Sequence, residues 1–357
     1  MALSIKDRIA PAFGRHETFT IRYGWLKRGF DEAMVDPMVF YAGDVHHRLG
    51  VGKNMAKSIR FWLTATRLMG EVPSANSSRR TAMRPTEFGA ALLASAPTVD
   101  REPYDERLAE LDLCRRAPIG LDPYLEDLGS WWALHWMMLA PGGHLPVWWS
   151  AFHTFTGVTF STEVLLEHAL AQIDATSAWS TPRPPSASTV KKDVLALVRA
   201  YGGTAGSRRA DKADDVIDAP MVPLGLVSES DEGFRFNLGP KSGLSPEIAA
   251  YACLDFMAAT GTTARTALVP TLAAEVGAPG RAFKLSAKEL ADLLSQAAQA
   301  HSDIVELAST SGSDTLAVIG EQPLSQVAAQ MLMRHYASRG EVTDPTTATL
   351  SVTPRLV

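Results

Sequence analysis

The sequence predicts a mainly α-helical chain with small β hairpins, an α+β protein, on three observations. Apolar residues recur at helical spacing in many segments. Three short stretches read as hairpins around polar turns: "GEVPSANSSRRTAMR", "PMVPLGLVSESDEGFRFNLG" and the apolar runs on either side of "TSGSD". No internal repeat of fixed period is present, which excludes a solenoid or propeller. With 357 residues, 46% of them hydrophobic, the chain can fill the cores of two or three domains.

Taken in order, "FGRHETFTIRYGWLKRGFDEAM" predicts a loop and then a helix burying Tyr23, Leu26 and Phe30. Residues 53 to 69 predict a stronger helix, "GEVPSANSSRRTAMR" a hairpin, and "PTEFGAALLAS" a helix that starts after Pro85. This is the order of a winged-helix-like DNA-binding domain, expected over residues 1–118. An aromatic-rich helical region follows over 119–182, closing on "SAWSTPRPPSAS", which reads as a linker. A second domain, winged-helix-like or otherwise α+β, is expected over 186–340, with helices 189 to 201, 246 to 260 and 286 to 300. Ser245 would cap the second of these, with Pro246 at its first position. Residues 341–357 lack a core pattern and read as a flexible tail.

Several classes are set aside by composition. Cys114 and Cys253 stand alone, so neither a disulfide framework nor a structural zinc site is expected. No apolar run suits a membrane span, and the charged opening lacks a secretory core, so the expectation is a cytoplasmic protein with no membrane partner. The net charge of −5 conceals an asymmetry: residues 1 to 90 hold 14 Lys or Arg against 8 Asp or Glu. Between Arg48 and Arg84, eight basic residues face one acid, Glu71. A local excess of this kind is the electrostatic footprint of a nucleic-acid surface.

"LGVGKNMAKSIRFW" resembles a phosphate-binding loop but fails its chemistry. That loop needs Gly at the position of His47 and a hydroxyl at the position of Asn54, and no clear apolar strand precedes it. Neither ATP nor a nicotinamide cofactor is expected. Projected at about 100° per residue, Lys53, Lys57, Arg60, Thr64 and Arg67 share one stripe, opposite Met55, Ile59, Trp62, Leu63, Thr66 and Met69. A solvated face usually mixes charges, and this stripe holds no acid. The expected double-stranded DNA contacts are Lys53, Asn54, Lys57, Arg60 and Arg67, with Arg79, Arg80 and Arg84 on the flanking backbone.

Two groups of residues are candidates for chemistry. Asp122, Glu126 and Asp127 open a helix, with His135 two turns beyond Asp127. They could hold Mg²⁺ or Mn²⁺, although capping and the helix dipole favour acids there without a metal. His16 and Glu17 share a loop and could serve as base and ligand, or simply fix the turn; Lys27 could steady developing charge. The expected catalytic set is therefore His16, Glu17, Lys27 and Asp122. Trp131, Trp132, Trp136, Trp148, Trp149 and Phe152 suit core packing better than base stacking.

The blocks "FGRHETFTIRYGWLKR", "LGVGKNMAKSIRFWL", "DPYLEDLGSWWALHW" and "STVKKDVLALVRAYG" resemble, in order, the SspB-type DNA nickase family of bacterial DNA phosphorothioation defence systems. One departure is a Thr within "HETFTIR" where Pro is expected in many relatives. The resemblance implies a nickase that opens one strand for partner enzymes: a cysteine desulfurase, an ATP-dependent sulfur-transfer enzyme and an ATPase. It brings no agreed catalytic set. A homodimer is also expected. The competing expectation is a winged-helix regulator or targeting subunit that binds DNA and cuts nothing.

Overall fold

Gly24, in the left-handed region at φ 75°, turns the opening loop into helix α1 (Trp25–Val35), which buries Trp25, Leu26, Phe30 and Met34. The computed structural model describes residues 9–74, 77–94, 120–176, 179, 184–202, 218–261, 263–310 and 312–339. Tyr23, expected in the core, precedes the helix and is 44% exposed, resting edge-on against Trp131. Helix α2 (Lys53–Ala65) buries Ala56, Ile59, Trp62 and Leu63, the face its spacing predicts. The two helices cross closely at Gly29, where a Cβ would overlap Ile59.

The helical pattern expected to reach residue 69 stops at Ala65, and Arg67 adopts a left-handed φ of 56°. That turn feeds strand β1 (Met69–Ser74), paired antiparallel with β2 (Ser77–Pro85) from Met69↔Pro85. Thr86 then caps α3 (Glu87–Leu93) by accepting the Gly89 N–H. Helix, helix, hairpin and helix follow in the expected order.

Helix α4 (Leu128–Leu139) is buried on every side, as are Trp148, Trp149 and Phe152 beyond it, so all six aromatic residues of this region are core. A turn at Pro146–Trp149 widens to π geometry over Ser150–Thr154. Strand β3 (Thr159–Phe160) and α5 (Thr162–Ala175), capped by Ser161, complete the region. Within the expected linker, Trp179 is buried against Trp149 and Phe13, and its Nε1 donates to the Ile9 carbonyl. A buried tryptophan with its N–H satisfied anchors the chain at that point.

Helix α6 (Ala187–Gly202) leads to β4 (Val227–Ser230) and β5 (Gly233–Phe236), the strands expected around an acidic turn. They form a sheet of order β3-β5-β4, so a strand from before the linker pairs with one after it. Helix α7 (Pro246–Ala259) begins with Ser245 as cap and Pro246 at its first position, as read from sequence. Then come β6 (Thr266–Leu268), α8 (Val269–Ala274), α9 (Pro279–Phe283), α10 (Ala287–Ala300), β7 (Val305–Thr310), β8 (Ser313–Val318) and α11 (Leu324–Ala337). The second three-stranded sheet has the order β6-β8-β7. Sequence patterns located α7, α10 and the β7–β8 hairpin; β6, α8, α9 and α11 emerge only in the structure. One hydrophobic core runs from Ile9 to Tyr336 through all three expected segments. The expected tail, 341–357, lies outside the described residues.

Gly89 is the tightest point of the N-terminal packing, since a Cβ there would overlap the Leu68 carbonyl. Gly89→Ala should lower stability by about 1–3 kcal/mol, read as a shift of the urea midpoint at unchanged slope.

Candidate nucleic-acid interface

Lys53, Asn54 and Lys57 lie exposed at the start of α2, on the face turned from the core. That face is the wall of a groove of about 1100 Å³. Its other sides are the loop around Arg15 and Glu17, the turn from Phe40 to His46, the inner edge of β1 and β2, and the segment at Gly142 and His144. Five Lys or Arg residues line it against two Glu, so its potential favours phosphate.

A bonded network lies at the centre of the groove. Arg60 donates through Nε to Glu71 Oε1 (3.0 Å), and through Nη2 to the Tyr41 hydroxyl (2.9 Å) and Thr81 Oγ1 (2.7 Å). Thr81 Oγ1 in turn donates to Glu71 Oε2 (2.7 Å). Arg60 and Arg80 also lie 4.6 and 5.3 Å from the centre of the Tyr41 ring. This network clasps the hairpin to α2. Arg60, one of the expected DNA contacts, is engaged in this network.

The other expected contacts divide. Arg80 is exposed and Arg84 half-buried on β2, whereas the side chain of Arg79 lies outside the described residues. Arg67 departs from the stripe because the helix has ended. Its side chain is buried and donates to the Ala140 (2.5 Å) and Pro141 (2.8 Å) carbonyls. Burial draws its pKa down, opposed by the charges of Asp255 and Tyr251. A guanidinium bound to the carbonyls at the end of α4 fixes the groove floor, and the exposed basic stripe ends before it.

His16 is buried between the loop and α6. Its Nε2 lies 2.6 Å from Asp193 Oδ1, and its Nδ1 accepts the Thr18 N–H. With both ring nitrogens used, its role is to fix the turn. Glu17 and Thr18 follow at left-handed φ of 49° and 70°, an uncommon pair for residues with side chains. The Asp193 pair and the Arg199 bond to the Thr18 carbonyl hold this strained turn. It sets Glu17 in the groove, 3.8 Å from Lys57.

The remaining candidates are not brought to that place. Lys27 is buried and ion-paired with Asp31 at 2.6 Å. Asp122 accepts the Glu126 and Asp127 amides and the Ser130 hydroxyl. Asp127 caps α4, accepting the Gly129 N–H, and pairs with His335 (2.7 Å) and Arg339 (2.9 Å). Burial pushes the Asp127 pKa up, but His335, the Gly129 amide and Arg339 outweigh it and hold the carboxyl below its usual range. His135 meets Tyr201 and the Ala282 carbonyl instead of Asp127, and burial drops its pKa to about 4. Glu126 is exposed, and among the described residues no group of three or more His, Cys, Asp or Glu is placed to hold a metal ion. The set Asp122, Glu126 and Asp127 thus does not fit a divalent ion. Sequence reasoning passed over Tyr41, Thr81 and Asp193, which carry no motif; Glu71 was visible only as the lone acid of a basic stretch.

The sequence profile described as "Protein of unknown function (DUF4007)" matches residues 13–115 and 112–336. The chain belongs to the DUF4007 family. This DUF4007 chain is also similar to a solved structure described as "Magnesium ion-bound SspB crystal structure". The TM-score is 0.80 and the identity 28%, over 97% of this chain and 94% of that one. It is similar as well to an "SspB crystal structure", with a TM-score of 0.79 and 28% identity over 96% and 93%. No curated protein matches it by sequence search. Among the described residues of the DUF4007 chain, no helix is long and apolar enough to cross a membrane.

Lys53→Ala with Lys57→Ala should weaken DNA binding and flatten its salt dependence by about 0.9 log unit per lost phosphate contact, measured by titration at several salt concentrations. The pH dependence of stability has a definite sign at Asp127. Because its folded pKa is depressed, its pairs stabilise the fold above the ordinary carboxylate range and are lost as pH falls through the folded pKa. Asp127→Asn should therefore lower the urea midpoint at neutral pH and narrow its gap to wild type in acid.

Proposed function

We propose that this chain is the DNA-nicking component of a DNA phosphorothioation system, and that duplex DNA lies along the groove on α2. The observation that carries this reading is the groove itself: exposed Lys53 and Lys57 and the bonded Arg60 on one helical face, with the hairpin and its Arg80 alongside. The likeness to SspB over nearly the whole chain supports the system, and the nicking reaction is what the sequence resemblance implies. In this reading α2 and the hairpin are the recognition helix and wing of a winged-helix-like unit. The order α7, β6, α8, α9, α10, β7, β8, with β6 and β7 flanking β8, supports a second such unit. Its partners are a cysteine desulfurase, an ATP-dependent sulfur-transfer enzyme and an ATPase, in the cytoplasm, and two copies assemble as a homodimer. The similarity to a structure described as magnesium-bound supports a divalent-metal requirement, with no ligand set assigned in this chain.

Within the groove, this chain's own residues bind the backbone through Lys53 and Lys57 and orient a phosphodiester toward Arg60. The strained turn at Glu17 limits how deep the strand can sit. A second reading, a targeting subunit that binds without cutting, is favoured by the structural commitment of Asp122 and Asp127. Purified protein incubated with supercoiled plasmid, with and without Mg²⁺ or Mn²⁺, separates the two. Open-circle product that requires the metal supports nicking. Binding with no conversion at any protein level supports the targeting subunit.

A further inference from the structure

The groove contains a tyrosine hydroxyl that none of the sequence motifs pointed to. Tyr41 ends the 3₁₀ turn Val39–Tyr41 and lines the groove half-buried. Its oxygen accepts from Arg60 Nη2 at 2.9 Å and from the Thr81 amide at 3.1 Å, and lies 3.5 Å from Thr81 Oγ1. Burial of the ring raises the phenol's pKa; the bonds from Thr81 and Arg60, and the Arg60 charge, outweigh it and bring the hydroxyl below its ordinary range. Two guanidinium groups lie over the one ring, and Thr81 Oγ1, 3.5 Å from the hydroxyl, donates to the Glu71 carboxylate. A phenol oxygen beside clustered positive charge is the arrangement that phosphoryl transfer to a protein nucleophile needs.

We propose that Tyr41 is the nucleophile of the nicking reaction. This rests on the reading of the groove as the nicking site. The Tyr41 oxygen bonds to the phosphorus of a DNA phosphodiester, and the bond from phosphorus to one deoxyribose oxygen breaks. The phenolic proton passes to Thr81 Oγ1 as the Thr81 proton passes to Glu71. The departing oxygen takes a proton from solvent, and Glu71 returns one to solvent. The strand is left with a free hydroxyl on one side and a tyrosyl phosphodiester on the other. No oxidant or further reactant is consumed. Arg60 and Arg80 offset the charge that builds on the non-bridging oxygens.

The test uses the full chain with supercoiled plasmid and with end-labelled duplex, quenched in detergent at short times with Mg²⁺ present. Wild type should yield open circle together with label carried on the protein band. After nuclease trimming, peptide mass spectrometry should place a nucleotide on Tyr41. Tyr41→Phe, which keeps the ring beneath both arginines, should lose nicking by about 1000-fold or more while the protein stays folded and still binds DNA, its thermal unfolding lowered only by the lost bonds from Arg60 and Thr81. Nicking by wild type with no adduct on Tyr41, or nicking by the folded Tyr41→Phe protein at the wild-type rate, would overturn the assignment and leave the nicking reading standing. Failure of wild type to open the plasmid at all would remove both.

Discussion

A helix apolar on every face has to be enclosed by the rest of the chain, and each polar atom it carries must find a partner from whatever encloses it. α4 sets that condition here: 11 of its 12 residues are buried. Ser130 meets Asp122 and Tyr336, the Trp132 N–H meets the Ser242 carbonyl, His135 meets Tyr201 and the Ala282 carbonyl, and the Trp136 N–H meets Asp255. Those partners come from widely separated segments. Satisfying one helix therefore fixes the C-terminal elements, α6 and α11 about a common centre. An unmatched donor here would carry a desolvation cost of about 1–3 kcal/mol, which gives the arrangement its selectivity.

The groove inherits its shape from that centre. Arg67, at the end of the α2 segment, ties itself to the carbonyls at the end of α4, and the chain beyond them supplies Gly142 and His144 to the groove. From the other side, Asp193 on α6 holds His16 and the Gly14 amide, which sets the loop bearing Arg15 and Glu17. Positive charge is thus displayed along a cleft whose walls are bonded to the core. Such a surface can orient a phosphate backbone without a large ordering cost on binding.

How much of the site could be read depended on how local its causes are. The exposed triplet Lys53, Asn54 and Lys57 was legible because helical spacing alone places those residues opposite Ile59 and Trp62. Arg67 was not, because the same spacing runs on past the point where Thr66 and a left-handed residue end the helix. Asp122 and Asp127 suited both a metal and a cap by sequence. The decision lay with Ser130, His335 and Arg339, two of them more than 200 positions away. Tyr41 acquires its character from Arg60 and Thr81, which reach it from another helix and from a strand.

By itself, the sequence determined the α+β class, the order of the N-terminal elements, the Ser245–Pro246 start of α7, the hairpins at β1–β2, β4–β5 and β7–β8, and the confinement of excess positive charge to the first quarter of the chain. These follow from periodicity, caps and turn chemistry, which act over a few residues. Only the tertiary structure decided that β3 would join β5 across the expected linker, that Trp179 would anchor that linker, and that His16 would face Asp193. It also decided which arginines remain at the surface. A charge or hydrogen-bonding group is assigned its task by the partner that relieves its desolvation, and in this chain that partner usually arrives from a distant segment.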